Sequence, residues 1–106
     1  NVYHTISINK AESKVLRYRV PDEKDIRSVE FIARVNSSDH QVRMFINPNG
    51  DGKAPTISHF EGSQSWKDAV VYHLSDSSTH AIPRGKDVMI LLIANASATI
   101  DFNVRV

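Results

Sequence analysis

Apolar and polar residues alternate along much of this chain with the period of two that is typical of β-strands. The alternation runs through residues 15–20, 28–35 and 98–106. Because successive side chains of a strand point to opposite faces, each segment predicts a strand with one buried and one solvated face. The predicted inward residues are Leu16, Tyr18, Val20, Val29, Phe31, Ala33, Val35, Ala98, Ile100, Phe102, Val104 and Val106.

Further segments complete the predicted set of strands. Residues 88–93 are apolar throughout, which favours a central strand covered on both faces. The remaining predicted strands are 2–8, 42–46, 56–61 and 69–74. The stretches between strands, including 62–65, have the composition of turns. No segment has a convincing helical period. The chain is therefore predicted to be all-β, an antiparallel β-sandwich of about eight strands with a jelly-roll-like topology.

Composition excludes several classes of function. The 106 residues suit one domain, so residues 1–106 are predicted to form a single sandwich domain, excised from a longer protein because the chain starts without Met. The absence of cysteine excludes disulfides, thiolate metal sites and a cysteine nucleophile. A net charge of +1 gives no field that attracts nucleic acid. No apolar run reaches the roughly 20 residues that span a bilayer, so no transmembrane segment is expected.

Candidate chemistry follows the segment 42–46. Asn47, Asn49 and Asp51 alternate in a run that is rich in Gly and Pro. Because oxygen-bearing side chains at these spacings, followed by Gly52, resemble the start of an EF-hand loop, the three residues are candidate calcium ligands. The twelfth position of such a loop is Ser58 rather than a bidentate Glu, which leaves one carboxylate. The alternative is a turn whose Asn and Asp side chains cap their own backbone.

Aromatic and histidine side chains beside this run are further candidates. Phe45 is opposite in parity to Met44 and Ile46, which predicts that it faces away from the core and contacts a partner. His59 and Trp66 lie on the far side of the run. The predicted binding residues are Phe45, Asn47, Asn49, Asp51, His59 and Trp66.

No catalytic residue is predicted. The chain has no nucleophile elbow, no P-loop and no dinucleotide fingerprint, and its five histidines lack metal-ligand spacing. Arg17, Arg19, Arg34 and Arg43 fall on outward positions of their strands. If these strands adjoin, the arginines form a basic stripe that grips an acidic polymer or a protein. The alternative is an ordinary solvated sheet face.

Short motifs along most of the chain resemble one known family. Residues 15–21 form an early strand that ends in Val-Pro, residues 55–60 begin with Pro-Thr and end in an aromatic, and residues 82–85 form a Pro-Gly turn. In this order they resemble the bacterial pre-peptidase C-terminal domain, a β-sandwich similar in shape to the collagen-binding domains of collagenases. The chain departs from the family's Asp-Leu-Tyr-Val motif, because Val42 or Arg43 stands at the Asp.

The resemblance implies a non-catalytic accessory module of a larger, secreted hydrolase or protease. Such a module binds a protein or polysaccharide substrate, or packs on a neighbouring catalytic domain, and the expected location is extracellular. The alternative is a C2-like domain of an intracellular protein that responds to calcium or phospholipid. Its loop carboxylates would be Asp51 with Asp76 or Asp87.

Overall fold

The regular structure of the described residues consists of eight β-strands. A computed structural model describes residues 2–10, 12–35, 41–56, 62–67, 69–76 and 81–106, with side chains at all of these except 2 and 62–67. The strands are β1 (Val2–Ile8), β2 (Ser13–Arg19), β3 (Ser28–Val35), β4 (Val42–Asn47), β5 (Gly62–Lys67), β6 (Ala69–Ser75), β7 (Asp87–Ala94) and β8 (Ala98–Arg105).

The strands form two antiparallel four-stranded sheets, the first in the order β1-β8-β3-β6 and the second in the order β2-β7-β4-β5. Strands from the two halves of the chain pair with each other, β1 with β8, β2 with β7, β3 with β6 and β4 with β5. A long hairpin wrapped into a sandwich in this way is a jelly roll. The predicted all-β, jelly-roll-like sandwich is confirmed. The tip of the hairpin is the β4–β5 connection, which carries the candidate site.

The core between the sheets is built from the inward positions that the alternation predicted. Phe31 is completely buried, and the ring edge of Tyr18 packs against it with centroids 6.0 Å apart. Burial of each large apolar side chain stabilises the fold by about 1.5–3 kcal/mol relative to exposure. Val106 is an exception, since it follows the end of β8 and is 47% exposed.

β7 is the central strand that its apolar run predicted, because it lies between β2 and β4. Its inward residues Val88, Ile90 and Leu92 are completely buried. On the opposite face, Leu91 is only 6% exposed although it lies outside the core cluster. The second sheet therefore also buries apolar surface on its outer face.

β5 corrects one sequence prediction. Residues 62–65 predicted a turn, but Gly62–Lys67 form a strand at the edge of the second sheet, and a register shift marks a bulge in its pairing with β4. An edge strand bonds to one neighbour only, so small polar residues are tolerated there. Within the predicted strand 56–61, Thr56 forms an isolated bridge, and residues 57–61 lie outside the described part of the chain.

Arg84 fixes the connection between β2 and β3. Its guanidinium donates to the backbone oxygens of Glu23 at 3.1 Å and Ile26 at 2.6 Å. The same group donates to both carboxylate oxygens of Asp76 at 3.1 and 2.9 Å. These hydrogen bonds lower the pKa of Asp76. Arg84 thus joins the end of β6 to the β2–β3 connection with a planar fork that a lysine cannot reproduce.

We expect Arg84→Lys to lower the melting temperature almost as much as Arg84→Ala, because a single ammonium cannot serve all of these acceptors. The folded-state pKa of Asp76 is depressed, so its contribution to stability is present above its unfolded pKa and is lost as the pH falls through the folded pKa. Thermal melts from neutral pH down to about pH 2 should therefore show a weaker acid dependence in both variants than in the unmodified protein. Identical pH dependence in all three proteins would contradict this account.

Candidate binding surface

The β4–β5 loop is closed by hydrogen bonds among its own residues. The Asn47 amide nitrogen donates to Asp51 Oδ1 at 2.8 Å and to the backbone oxygen of Lys53 at 2.7 Å. Asn47 Oδ1 accepts the backbone N–H of Asn49 at 3.1 Å, and Asp51 Oδ1 accepts that of Lys53 at 3.0 Å. Each of these acceptors thus binds the N–H two residues further on, which is the geometry of an Asx turn.

The three candidate calcium ligands, Asn47, Asn49 and Asp51, therefore lie in a turn whose Asn and Asp side chains cap their own backbone. This is the alternative that the sequence offered to a calcium site. Backbone hydrogen bonding by Lys53, followed by the hydrogen bond from Asn47, lowers the pKa of Asp51. Asn47 Oδ1 and Asp51 Oδ1 already accept N–H groups. Across the described ranges, no three His, Cys, Asp or Glu side chains form a group that could hold a metal ion. Calcium binding by Asn47, Asn49 and Asp51 stays a prediction.

Close packing also holds the loop in place. Pro48 and Pro55 are buried, and Gly50 and Gly52 both have φ of 75°. A Cβ built on Gly50 would lie 2.6 Å from Lys86 Cδ and 2.8 Å from Lys86 Cβ. The loop therefore presses against the start of β7, and only a residue without a side chain fits at that contact.

Phe45 corrects the prediction of an exposed aromatic residue. It lies outside the core cluster and so faces away from the core, as its parity predicted. Nevertheless it is completely buried, and its nearest register neighbours are Leu91 of β7 and Ser63 of β5. The prediction failed because it assumed that only one face of the sheet is covered. Phe45 belongs to a small buried layer on the outer face of the second sheet, and it is not available as a surface contact.

Arg43 covers the Phe45 ring. Its guanidinium carbon lies 4.5 Å from the ring centroid, which is a cation–π contact. Its Nε is buried without a hydrogen-bond partner in the described structure. The stacked arginine thus forms part of the cover over Phe45. Arg43 is half-buried, so its charge is less exposed than its outward position on β4 predicted.

The exposed side chains beside the loop are mainly basic. Arg17 and Arg19 of β2 have 69% and 71% of their side chains exposed. Both contact Asp87, at 3.8 Å from Arg17 Nη1 and at 3.1 Å from Arg19 Nε. Lys86 precedes Asp87 and touches Gly50. We call the surface formed by these residues and the charged loop residues the basic end. It comprises Arg17, Arg19, Lys53, Lys86, Asp51 and Asp87. Within it, cations outnumber carboxylates two to one.

The structure assembles the predicted site only in part. Asn47, Asn49 and Asp51 lie together, whereas His59 lies outside the described residues, and so does the side chain of Trp66, which belongs to β5. Arg34 belongs to the first sheet and is therefore not part of a stripe with Arg17 and Arg19. Lys86 was not predicted as part of the site. Its contact with Gly50 joins two residues that are far apart in the chain, so no local sequence pattern indicates it.

Comparison with known proteins adds no assignment. No family model matches the chain, and no curated protein matches it. The described residues contain no helix that is long and apolar enough to cross a bilayer. The resemblance to the pre-peptidase C-terminal domain stays a prediction.

Proposed function

We propose that this chain is a non-catalytic binding module of a larger, secreted hydrolase or protease, and that the basic end contacts its partner. The observation that carries the proposal is a loop fixed by Asx turns, beside an exposed pair of arginines. A preorganised loop loses little conformational freedom on binding, which favours affinity. Arginine is also enriched at protein interfaces because its planar fork pairs with carboxylates.

The charge of the basic end favours an acidic partner. Among the described residues, Asp87 is the only carboxylate bonded to Arg17 and Arg19, and it serves both. Most of each guanidinium side chain is exposed, so the pair retains donors for carboxylates from outside. The partner that fits this chemistry is a uronic-acid polysaccharide or an acidic protein surface, either on a substrate or on the catalytic domain of the same protein.

Retention on immobilised alginate and casein, with cellulose and gelatin for comparison, tests this proposal. We expect the acidic matrices to retain the protein and salt to weaken the retention. The double variant Arg17→Ala/Arg19→Ala should bind alginate or casein about two- to thirtyfold more weakly, because each exposed charge pair contributes about 0.2–1 kcal/mol.

The matched control is Arg34→Ala/Arg105→Ala, which removes two exposed arginines from the outer face of the first sheet. This control should bind as the unmodified protein does. Equal loss in both double variants would show that net charge, not the basic end, determines binding. No retention of the unmodified protein on any acidic matrix would overturn the proposed contact surface.

A further inference from the structure

Among the described residues, the edge of the first sheet at β1 has none of the usual protection against pairing. β1 bonds to β8 on one side, and no described strand lies on the other. Its sequence, Val-Tyr-His-Thr-Ile-Ser-Ile, contains no Lys, Arg, Asp, Glu, Pro or Gly. Edge strands normally carry charges, prolines or bulges because their open backbone N–H and C=O groups otherwise pair with another strand. β1 is thus a strand with strong β-propensity and an open backbone edge.

The other edges differ from β1. β2 carries Lys14, Arg17 and Arg19, so a second copy of β2 beside it would bring like charges together. The pairing of β5 contains a register shift. β6, like β1, has no Lys, Arg, Asp or Glu, but it contacts β5 of the second sheet.

A cleft with an apolar floor lies next to β1. It measures about 280 Å³ and lies between β1 and β2, the edge strands on the same side of the sandwich. Phe102, Val104 and Leu16 contribute apolar lining, and the cleft is also lined by His4 of β1 and by Arg17, Tyr18 and Arg19 of β2. Apolar surface at an open edge of a sheet favours the addition of a strand that can cover it.

We propose that β1 pairs antiparallel with β1 of a second copy of this chain, with Thr5 facing Thr5 across a twofold axis. Thr5 is the middle residue of β1, so this register pairs all seven residues of each strand. Tyr3 then faces Ser7, and His4 faces Ile6 of the second copy. The first sheets of both copies become one continuous sheet, which is an isologous contact.

The chemistry of β1 favours a second copy as its partner. Self-pairing brings no like charges together, because β1 has no acidic or basic residue other than His4, which faces Ile6. Ile6 of the second copy comes to lie beside His4, which lines the cleft together with the apolar residues Phe102 and Val104. The net charge of +1 adds little repulsion between copies. The strand pairing uses β1 and not the loop, whereas Arg17 and Arg19 of the basic end also line the adjacent cleft. Variants of β1 leave every residue of the basic end unchanged, so failure of this proposal is distinguishable from failure of the proposed function.

Cysteine substitution tests the contact and its register, because the chain contains no cysteine. Residues that face each other in an antiparallel pair have Cα atoms about 4.5–5.5 Å apart, within the range for a disulfide. Thr5→Cys should therefore oxidise to a covalent dimer. Tyr3→Cys is the matched control on the same strand and face; its two thiols would lie about 13 Å apart along the ribbon. We expect about tenfold more disulfide-linked dimer from Thr5→Cys than from Tyr3→Cys under the same oxidation.

Sedimentation of the cysteine-free chain provides the second measurement. A strand-pairing interface is small, so we expect reversible dimers with a Kd on the order of 100 µM. Thr5→Lys should abolish them by placing two ammonium groups face to face, whereas Val15→Lys on the β2 edge should not. A monomer at all concentrations, dimers that persist in Thr5→Lys, or equal cross-linking of both cysteine variants would overturn the proposal.

Discussion

Phe45→Ala is expected to lower the free energy of unfolding by about 3–5 kcal/mol, as for other large buried aromatic residues. Phe45 is completely buried although it lies outside the core cluster, so its truncation leaves a cavity on the outer face of the second sheet. The substitution also removes the ring on which the Arg43 guanidinium stacks at 4.5 Å. Urea denaturation, with the m-value checked for constancy, measures the loss.

Tyr3→Ala is the control for this prediction. Tyr3 is also an aromatic residue on a strand, but it is 64% exposed on the first sheet. Its truncation should cost about 0.5 kcal/mol or less. A Phe45→Ala protein that unfolds at the same urea concentration as the unmodified protein would show that the ring is not part of a buried layer. The original prediction of a contact residue would then stand again.

Local pattern predicted most of the strands because alternation directly reports which residues share a buried face. β3 and β8 show this most clearly, since in each strand buried residues alternate with residues that are at least partly exposed. The same signal could not find β5, an edge strand without apolar alternation. It also misjudged Phe45, since parity gives the direction of a side chain but not what covers it on that side.

The candidate site was predictable only where its geometry is local. The turn at Asn47 and Asp51 depends on hydrogen bonds between residues two positions apart, so the spacing of the side chains already encodes it. The contact of Asp87 with Arg17 and Arg19 depends on the pairing of β2 with β7, strands far apart in the chain. No pattern within either strand identifies its partner.

The approach of Gly50 to Lys86 yields the second large effect. We expect Gly50→Ala to lower the free energy of unfolding by about 2–4 kcal/mol. About 1–2 kcal/mol arises because an L-residue is strained at φ of 75°. The rest arises because the new Cβ would lie 2.6 Å from Lys86 Cδ and 2.8 Å from Lys86 Cβ, so the loop or β7 must shift.

Gly52→Ala separates these two costs. Gly52 has the same φ of 75°, but a Cβ there meets no atom within 4 Å. This variant should therefore lose only about 1–2 kcal/mol. In a Lys86→Ala background the cost of Gly50→Ala should fall without reaching that of Gly52→Ala, because Lys86 Cβ remains in place 2.8 Å away. Equal losses for the two glycine variants in urea denaturation would mean that the loop does not press against β7, and the rigid loop of the proposed binding surface would lose its main support.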